Sequence, residues 1–399
     1  MINPLRRGRL VLFGAGMTGR GQVAQLAYED GWDITLIDKN KELVDILQRA
    51  GEYTVQLLSS KTREVAIREF RIFHTSEQEQ INRVVRNVDL IVTSVLEPNL
   101  PDVATILAHA ITARYNADVR QPVNVIAAEN MGDSTSRLYS YIKPLLPSSV
   151  NRNIQNIVGF PNSMISRVVP IADDPLHIKT EEYSEWTADK DGRIGTPPPL
   201  KGLEWVQNQP ARLFRKLYIH NTGHMICGSL GWLKKYHYIH EAALDSEINT
   251  HITNAIAESG DAVSKEFGFQ RDDVKSYEGH LLGRLIISEL PDDIRRVIRH
   301  PIRKLGKAER LIGPLLLCEK YNLPCTELCN GIAAVMAGSY IPYVYHDYDN
   351  QYELIRESLE KTGPIKALSS LTGYQPKPST ARLIEIAFKA LRNRYIIHE

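Results

Sequence analysis

Along the first half of the chain, short apolar runs recur with helical patterns between them. The runs are "RLVLFG", "WDITLID", "VDLIVTSV", "VNVIAAEN" and "QNIVGF". Each has the length of a strand and is apolar at successive positions, not only at alternate ones. A strand covered by helices on both faces has that pattern, the mark of a parallel sheet. Between the runs, residues 18–30 place Val23, Leu26 and Ala27 on one helical face, and "KELVDILQRA" predicts the next helix. The alternation of strand and helix predicts a doubly wound α/β domain. The stretch "HIKTEEYSEWTAD" (177–189) alternates and reads as one more strand, and "KDGRIGTPPPLKG" (190–202) as a loop or connection.

Beyond residue 204 the character changes, and long patterns of period 3.6 dominate. "DSEINTHITNAIAESGDAVSKEFG", "KAERLIGPLLLCEKY", "TELCNGIAAVMAG" and "TARLIEIAFKALRNRY" each predict a helix. The chain therefore divides into an α/β domain over residues 1–203 and a mostly α-helical domain over 204–399, a division that its 399 residues permit. No internal repeat or low-complexity segment interrupts it.

Lys plus Arg number 48 against 47 Asp plus Glu, a net charge of +1. That balance offers no bulk attraction to nucleic acid or anionic lipid, so neither is an expected partner. No run approaches a membrane-spanning length, and "MINPLRRGRL" contains no apolar signal core. The expected location is the cytoplasm. The cysteines at 227, 318, 325 and 329 contain no C-x2-C pair, so buried thiols are expected there and no metal.

The first apolar run ends in Gly14-x-Gly16-x-x-Gly19, and the second ends at Asp38. Strand, glycine turn and helix start are in the order that a Rossmann dinucleotide site requires. Gly14 permits the turn, Gly16 allows the pyrophosphate close to the backbone, and Gly19 lets helix and strand approach. Met17 and Thr18 open the helix, whose first N–H groups favour an anion. A carboxylate at Asp38 accepts from a ribose diol and repels a 2′-phosphate, so the expected cofactor is NAD, with Lys39 and Lys41 close by. Arg20 reads either as a charge near the pyrophosphate or as a solvated residue of the first turn.

A second constellation lies in "RKLYIHNTGH", where Lys216, Asn221 and His224 form K-x4-N-x2-H. At about 100° per residue they fall near 0°, 140° and 80°, within one half of a helix but not on a tight stripe. Gly223 reads as a gap where a ligand reaches the backbone. Such a group suits alcohol oxidation without a metal. A lysine pushed toward neutrality is a general base, an asparagine amide donates to a developing alkoxide, and a histidine orients a hydroxyl. The bland alternative is a helix with its polar residues on a wet face. For His237 and His240 of "YHYIH", packing or surface roles are expected.

These stretches, with "AAENM", "YSEW", "HPIRKL", "ERLIGPLL" and "GIAAVM", run nearly from end to end of the chain and resemble the polyol-specific long-chain dehydrogenases. Within them the likeness is greatest to the bacterial mannitol-1-phosphate 5-dehydrogenases. The resemblance implies that Lys216 is the catalytic base, that Asn221 and His224 bind the reacting alcohol, and that Asn162 of "VGFPNSMISRVVP" completes a donor pair with Asn221. It sets Glu129 and Asn130 near the nicotinamide. The implied reaction is hydride transfer between a polyol, such as mannitol 1-phosphate, and its ketose, such as fructose 6-phosphate.

Several positions depart from the phosphate-specific pattern. Ser166 stands where most relatives carry Asp, Asn162 where the phosphate enzymes tend to have Asp, and Gly313 where they often carry Lys. Leu285 and Ile287 replace a Phe and an Asn. Against these changes stands a series of cations, among which Arg284, Arg303 and Lys304 are candidates for a phosphate. The expected partner is thus a polyol or sugar phosphate, taken by a monomer or a dimer. The alternatives are a dehydrogenase of an unphosphorylated polyol or sugar acid, a hydroxyacid or 6-phosphogluconate type of dehydrogenase, and a catalytically silent NAD-binding regulator.

Overall fold

The computed structural model describes residues 7–59, 61–129, 131, 133–170, 173–344 and 350–396. Two compact units divide at Arg212 and Leu213. The division comes later than residue 203 because the strand Glu204–Val206 pairs in parallel with Glu185–Asp189 and belongs with the first unit.

In chain order the strands are β1 (Arg9–Phe13), β2 (Asp33–Asp38), β3 (Glu52–Leu58), β4 (Arg63–Arg68), β5 (Arg71–His74), β6 (Leu90–Thr93), β7 (Val123–Ala127), β8 (Val158–Gly159), β9 (Ser163–Ser166), β10 (His177–Glu181), β11 (Glu185–Asp189) and β12 (Glu204–Val206). The main sheet has the order β5-β2-β1-β6-β7-β8, and every pair in it is parallel. Strand order reverses between β1 and β6, and ligands of such sheets bind at that point, outside the carboxyl ends of the strands. Residues of β1 alternate between two clusters, with Leu10 and Leu12 in one and Val11 and Phe13 in the other. Burial on both faces is the physical reason for its unbroken apolar run.

Two smaller sheets flank the unit, β10-β3-β4 and β12-β11-β9. The single strand expected over 177–189 is therefore two. β10 pairs in parallel with β3, and β11 pairs antiparallel with β9, with residues 182–184 turning the chain from one sheet to the other.

The second unit is helical among its described residues. The helix Asn221–Leu233 is buried around most of its circumference, and Ser246–Phe267, Ile294–Ile298 and Thr326–Ala337 pack against it. A helix apolar on all sides belongs in the middle of a domain. No described helix is long and apolar enough to cross a membrane.

Candidate active site

In the first unit, the carboxyl ends of β1, β2 and β6 open onto a cavity of about 410 Å³. Gly14, Gly16, Asp38, Val95, Val103 and Ile106 are among the residues that line it. Gly14 has φ +93°, and a Cβ there would lie 2.1 Å from the Ser94 carbonyl oxygen. A Cβ on Gly19 would meet the Gly14 carbonyl oxygen equally closely. Gly16 is different: nothing lies within 4 Å of where its Cβ would be. Two glycines therefore close the turn, and the third leaves room for a ligand. The size and mostly apolar lining suit the adenosine end of a dinucleotide.

Asp38 is fixed at the mouth of this cavity. Its Oδ2 accepts from Ala15 N at 2.7 Å and its Oδ1 from Asn40 N at 2.8 Å. Those bonds leave lone pairs for a ribose diol. The two neighbouring lysines are engaged elsewhere, Lys39 Nζ with Asn99 Oδ1 at 2.6 Å and Lys41 Nζ with Asp45 Oδ1 at 2.5 Å. The residues present fit NAD.

Arg20 fills neither expected role. It is fully buried, with Nε donating to the Ala15 carbonyl at 2.6 Å and the guanidinium 5.1 Å from the centre of the Tyr53 ring. Burial pulls its pKa below the ordinary arginine value, against the raising effects of Tyr53 and Asp38. It props the glycine turn from inside the domain.

Glu129 is a brace too. It accepts from Val95 N at 2.8 Å, Leu96 N at 3.0 Å and Thr93 Oγ1 at 3.3 Å. Leu96 has φ +68°, a conformation that costs a non-glycine residue free energy unless its surroundings hold it. Burial raises the Glu129 pKa, and these hydrogen bonds oppose the rise. Asn130 lies outside the described residues. Asn162 accepts from Ser136 N at 3.0 Å and donates to Ser136 Oγ at 2.8 Å, which leaves one Nδ2 hydrogen for another acceptor.

In the helical unit, the signature helix is not a uniform α-helix. The helix Gln209–Arg215 continues into a π-helical turn, Lys216–His220, and then into Asn221–Leu233. Hydroxyls of Thr222 and Ser259 donate to the Tyr218 carbonyl inside that turn. A π turn advances roughly 80° per residue, against about 100° in an α-helix. Lys216 and Asn221 thus stand roughly 40° apart, and His224 falls roughly 20° to the other side of Lys216. The widely spread trio of the sequence reading becomes one stripe.

Asn221 makes no side-chain hydrogen bond among the described residues. His224 Nε2 lies 3.0 Å from Asp292 Oδ2. A carboxylate only accepts, so the ring proton sits on Nε2, and in the neutral ring Nδ1 is an acceptor. Asp292 is held in turn by Arg296, whose Nε and Nη2 each donate to it at 2.6 Å. Burial pushes the Asp292 pKa up, but His224 and Arg296 overcome that and hold it well below the usual carboxylate range. His220, which the sequence reading passed over, accepts at Nδ1 from Arg284 Nη1 at 3.2 Å. Its ring centre lies 5.8 Å from that of His224. Burial, then Arg284, His224, Lys216 and Arg310, hold the His220 pKa well below its usual value.

The other phosphate candidates point elsewhere. Arg303 is exposed and bridges Glu309 at 3.0 Å. Lys304 is buried with its Nζ on the Val297 carbonyl. Burial, reinforced by Arg310, Arg303, Arg299 and Arg296, pushes its pKa down to about 7. A Cβ on Gly313 would lie 2.5 Å from the Tyr218 ring, so that aromatic occupies the space a longer side chain needs. Gly223 is no ligand gap, since a Cβ there would meet Ile256 and Leu281 at 2.9 Å. It lets neighbouring helices approach.

Two models of one family match the chain, the mannitol dehydrogenase Rossmann domain over residues 8–202 and the mannitol dehydrogenase C-terminal domain over 212–362. Among solved structures, a D-sorbitol dehydrogenase in substrate-free form superposes with a TM-score of 0.81 at 15% identity, covering 98% of this chain and 94% of that one. The Pseudomonas fluorescens mannitol 2-dehydrogenase, solved as a ternary complex with NAD and D-mannitol, gives 0.70 at 15% identity, covering 99% and 94%. At that identity the likeness is one of fold.

Proposed function

Because the chain belongs to the mannitol dehydrogenase family, we propose that it is a cytoplasmic, NAD-dependent dehydrogenase interconverting a polyol, preferentially a hexitol phosphate, with its ketose. The observation that carries the reading is the π turn Lys216–His220, which draws Lys216, Asn221 and His224 onto one stripe. When bound, NAD accepts a hydride from the carbinol carbon. Lys216 takes the hydroxyl proton as general base and returns it in the reverse direction. Asn221 donates to the substrate oxygen as it gains charge, and the spare Nδ2 hydrogen of Asn162 is assigned the same role. His224, held by Asp292, accepts from a substrate hydroxyl at Nδ1. Asp38 takes the adenosine ribose, and Gly16 with Met17 and Thr18 takes the pyrophosphate.

Arg284 and Lys216 beside His220 favour an anionic substrate, whereas Arg310 is paired with Glu309 at 3.0 Å. Of the three phosphate candidates, Arg284 retains that role. The engagement of Arg303 with Glu309 and of Lys304 with Val297 favours a second reading, an unphosphorylated polyol. Rates of NADH formation on paired hexitols and hexitol 1-phosphates decide between them. A kcat/KM at least about tenfold higher for the phosphate supports the first reading, as loss of a charged contact costs about 1.5–3 kcal/mol. Equal or reversed preference overturns it.

A further inference from the structure

His220 and His224 are one turn apart, with ring planes at 75° to each other. Each ring has one nitrogen tied, and the ties are of opposite kind. Arg284 can only donate, so His220 Nδ1 is an acceptor and the proton of the neutral ring is on Nε2. Asp292 can only accept, so the proton of the neutral His224 ring is also on Nε2, but there it is spent on the carboxylate. The nitrogens left over differ: a donor N–H on His220 and an acceptor on His224. Neither forms another hydrogen bond among the described residues. Nor is His220 Nε2 one of the sealed polar atoms of the interior that lack a partner.

We propose that His220 is a substrate-binding residue whose Nε2–H donates to a second oxygen of the polyol, beside the oxygen that His224 Nδ1 receives. A polyol carries oxygens on adjacent carbons, each able to donate and to accept. A donor and an acceptor on neighbouring rings match such a pair, and a substrate lacking one of the two hydroxyls leaves a polar group unpaired. Buried polar groups of this kind discriminate strongly against the analogue that lacks the matching group. This inference rests on the polyol reading. It adds to that reading a residue that sets which hydroxyls, and in which arrangement, the site requires.

The test is a cycle between protein and substrate, with the full-length enzyme. His220→Leu removes the donor, and His220→Gln keeps an N–H on a side chain of similar reach. KM and kcat are measured for the best polyol and for each of its single-deoxy analogues, and NADH binding is followed by fluorescence. The expected result is a KM about tenfold or more higher in His220→Leu, with a smaller change in kcat, unchanged NADH binding and partial recovery in His220→Gln. With one deoxy analogue the penalty disappears, because the contact is already absent. An equal penalty on every analogue makes His220 a packing residue and overturns the proposal, as does an unchanged KM. If the unmodified enzyme turns over no polyol or polyol phosphate, the polyol reading itself fails, which is distinct from an active enzyme indifferent to His220.

Discussion

At the scale of single residues, the chemistry depends on how each side chain is held as much as on its identity. His224 illustrates this, because its useful nitrogen is chosen by Asp292 at 3.0 Å on the opposite side of the ring. The carboxylate is itself gripped by Arg296 and kept ionised by both neighbours. Asp292→Asn puts an amide there that can donate to the ring and reverse its tautomer, which removes the acceptor from Nδ1. The expected outcome is a loss in kcat/KM on the order of a hundredfold with NADH affinity unaltered. A variant as active as the parent shows that His224 needs no such support. The residue scale also holds the contacts least visible in the sequence. Arg20 follows the glycine triplet directly, yet it turns inward, because the Ala15 carbonyl and the Tyr53 ring offer it a buried site that no local pattern announces. Glu129 spends its oxygens on the backbone of residues 95 and 96, a contact made between strands far apart in sequence.

Among elements, the parallel sheet was legible and its surroundings were not. β1, β2, β6 and β7 are buried on both faces, so their apolar runs stand out. β3 and β4 form a half-exposed hairpin with a mixed pattern, and neither was anticipated. β10 and β11 were read as one strand because alternation carries no information about which sheet a strand joins. The π turn was invisible for a related reason: spacing is converted to angle by assuming one helical pitch throughout. It is also the element on which the proposed site depends. Thr222→Val with Ser259→Ala removes the hydroxyls that donate to the Tyr218 carbonyl in that turn, and relaxation to an α-helical advance rotates Lys216 away from Asn221 by roughly 100°. The expected protein folds and binds NADH but loses kcat by about 10²-fold or more. Retained activity contradicts the stripe.

For the whole molecule, the chain assigns separate tasks to its two units. The α/β unit supplies the fixed geometry of a dinucleotide site: a glycine turn, an aspartate at the end of the second strand, and a cavity of about 410 Å³. In the proposed mechanism, the helical unit carries the side chains that move protons and recognise hydroxyls. Membership of the mannitol dehydrogenase family extends over both, and it is the K-x4-N-x2-H segment, not the glycines, that speaks to the reaction. As the proposed general base, Lys216 takes no part in holding NAD, so one substitution separates the chemistry from cofactor binding. The decisive measurement is NADH formation from a hexitol or hexitol phosphate by the enzyme and by Lys216→Ala, with NAD affinity determined in parallel. Loss of a general base predicts a fall in kcat of about 10²–10⁴-fold at unchanged NAD affinity. Turnover that survives in Lys216→Ala, or NAD binding without turnover of any polyol by the intact enzyme, contradicts it.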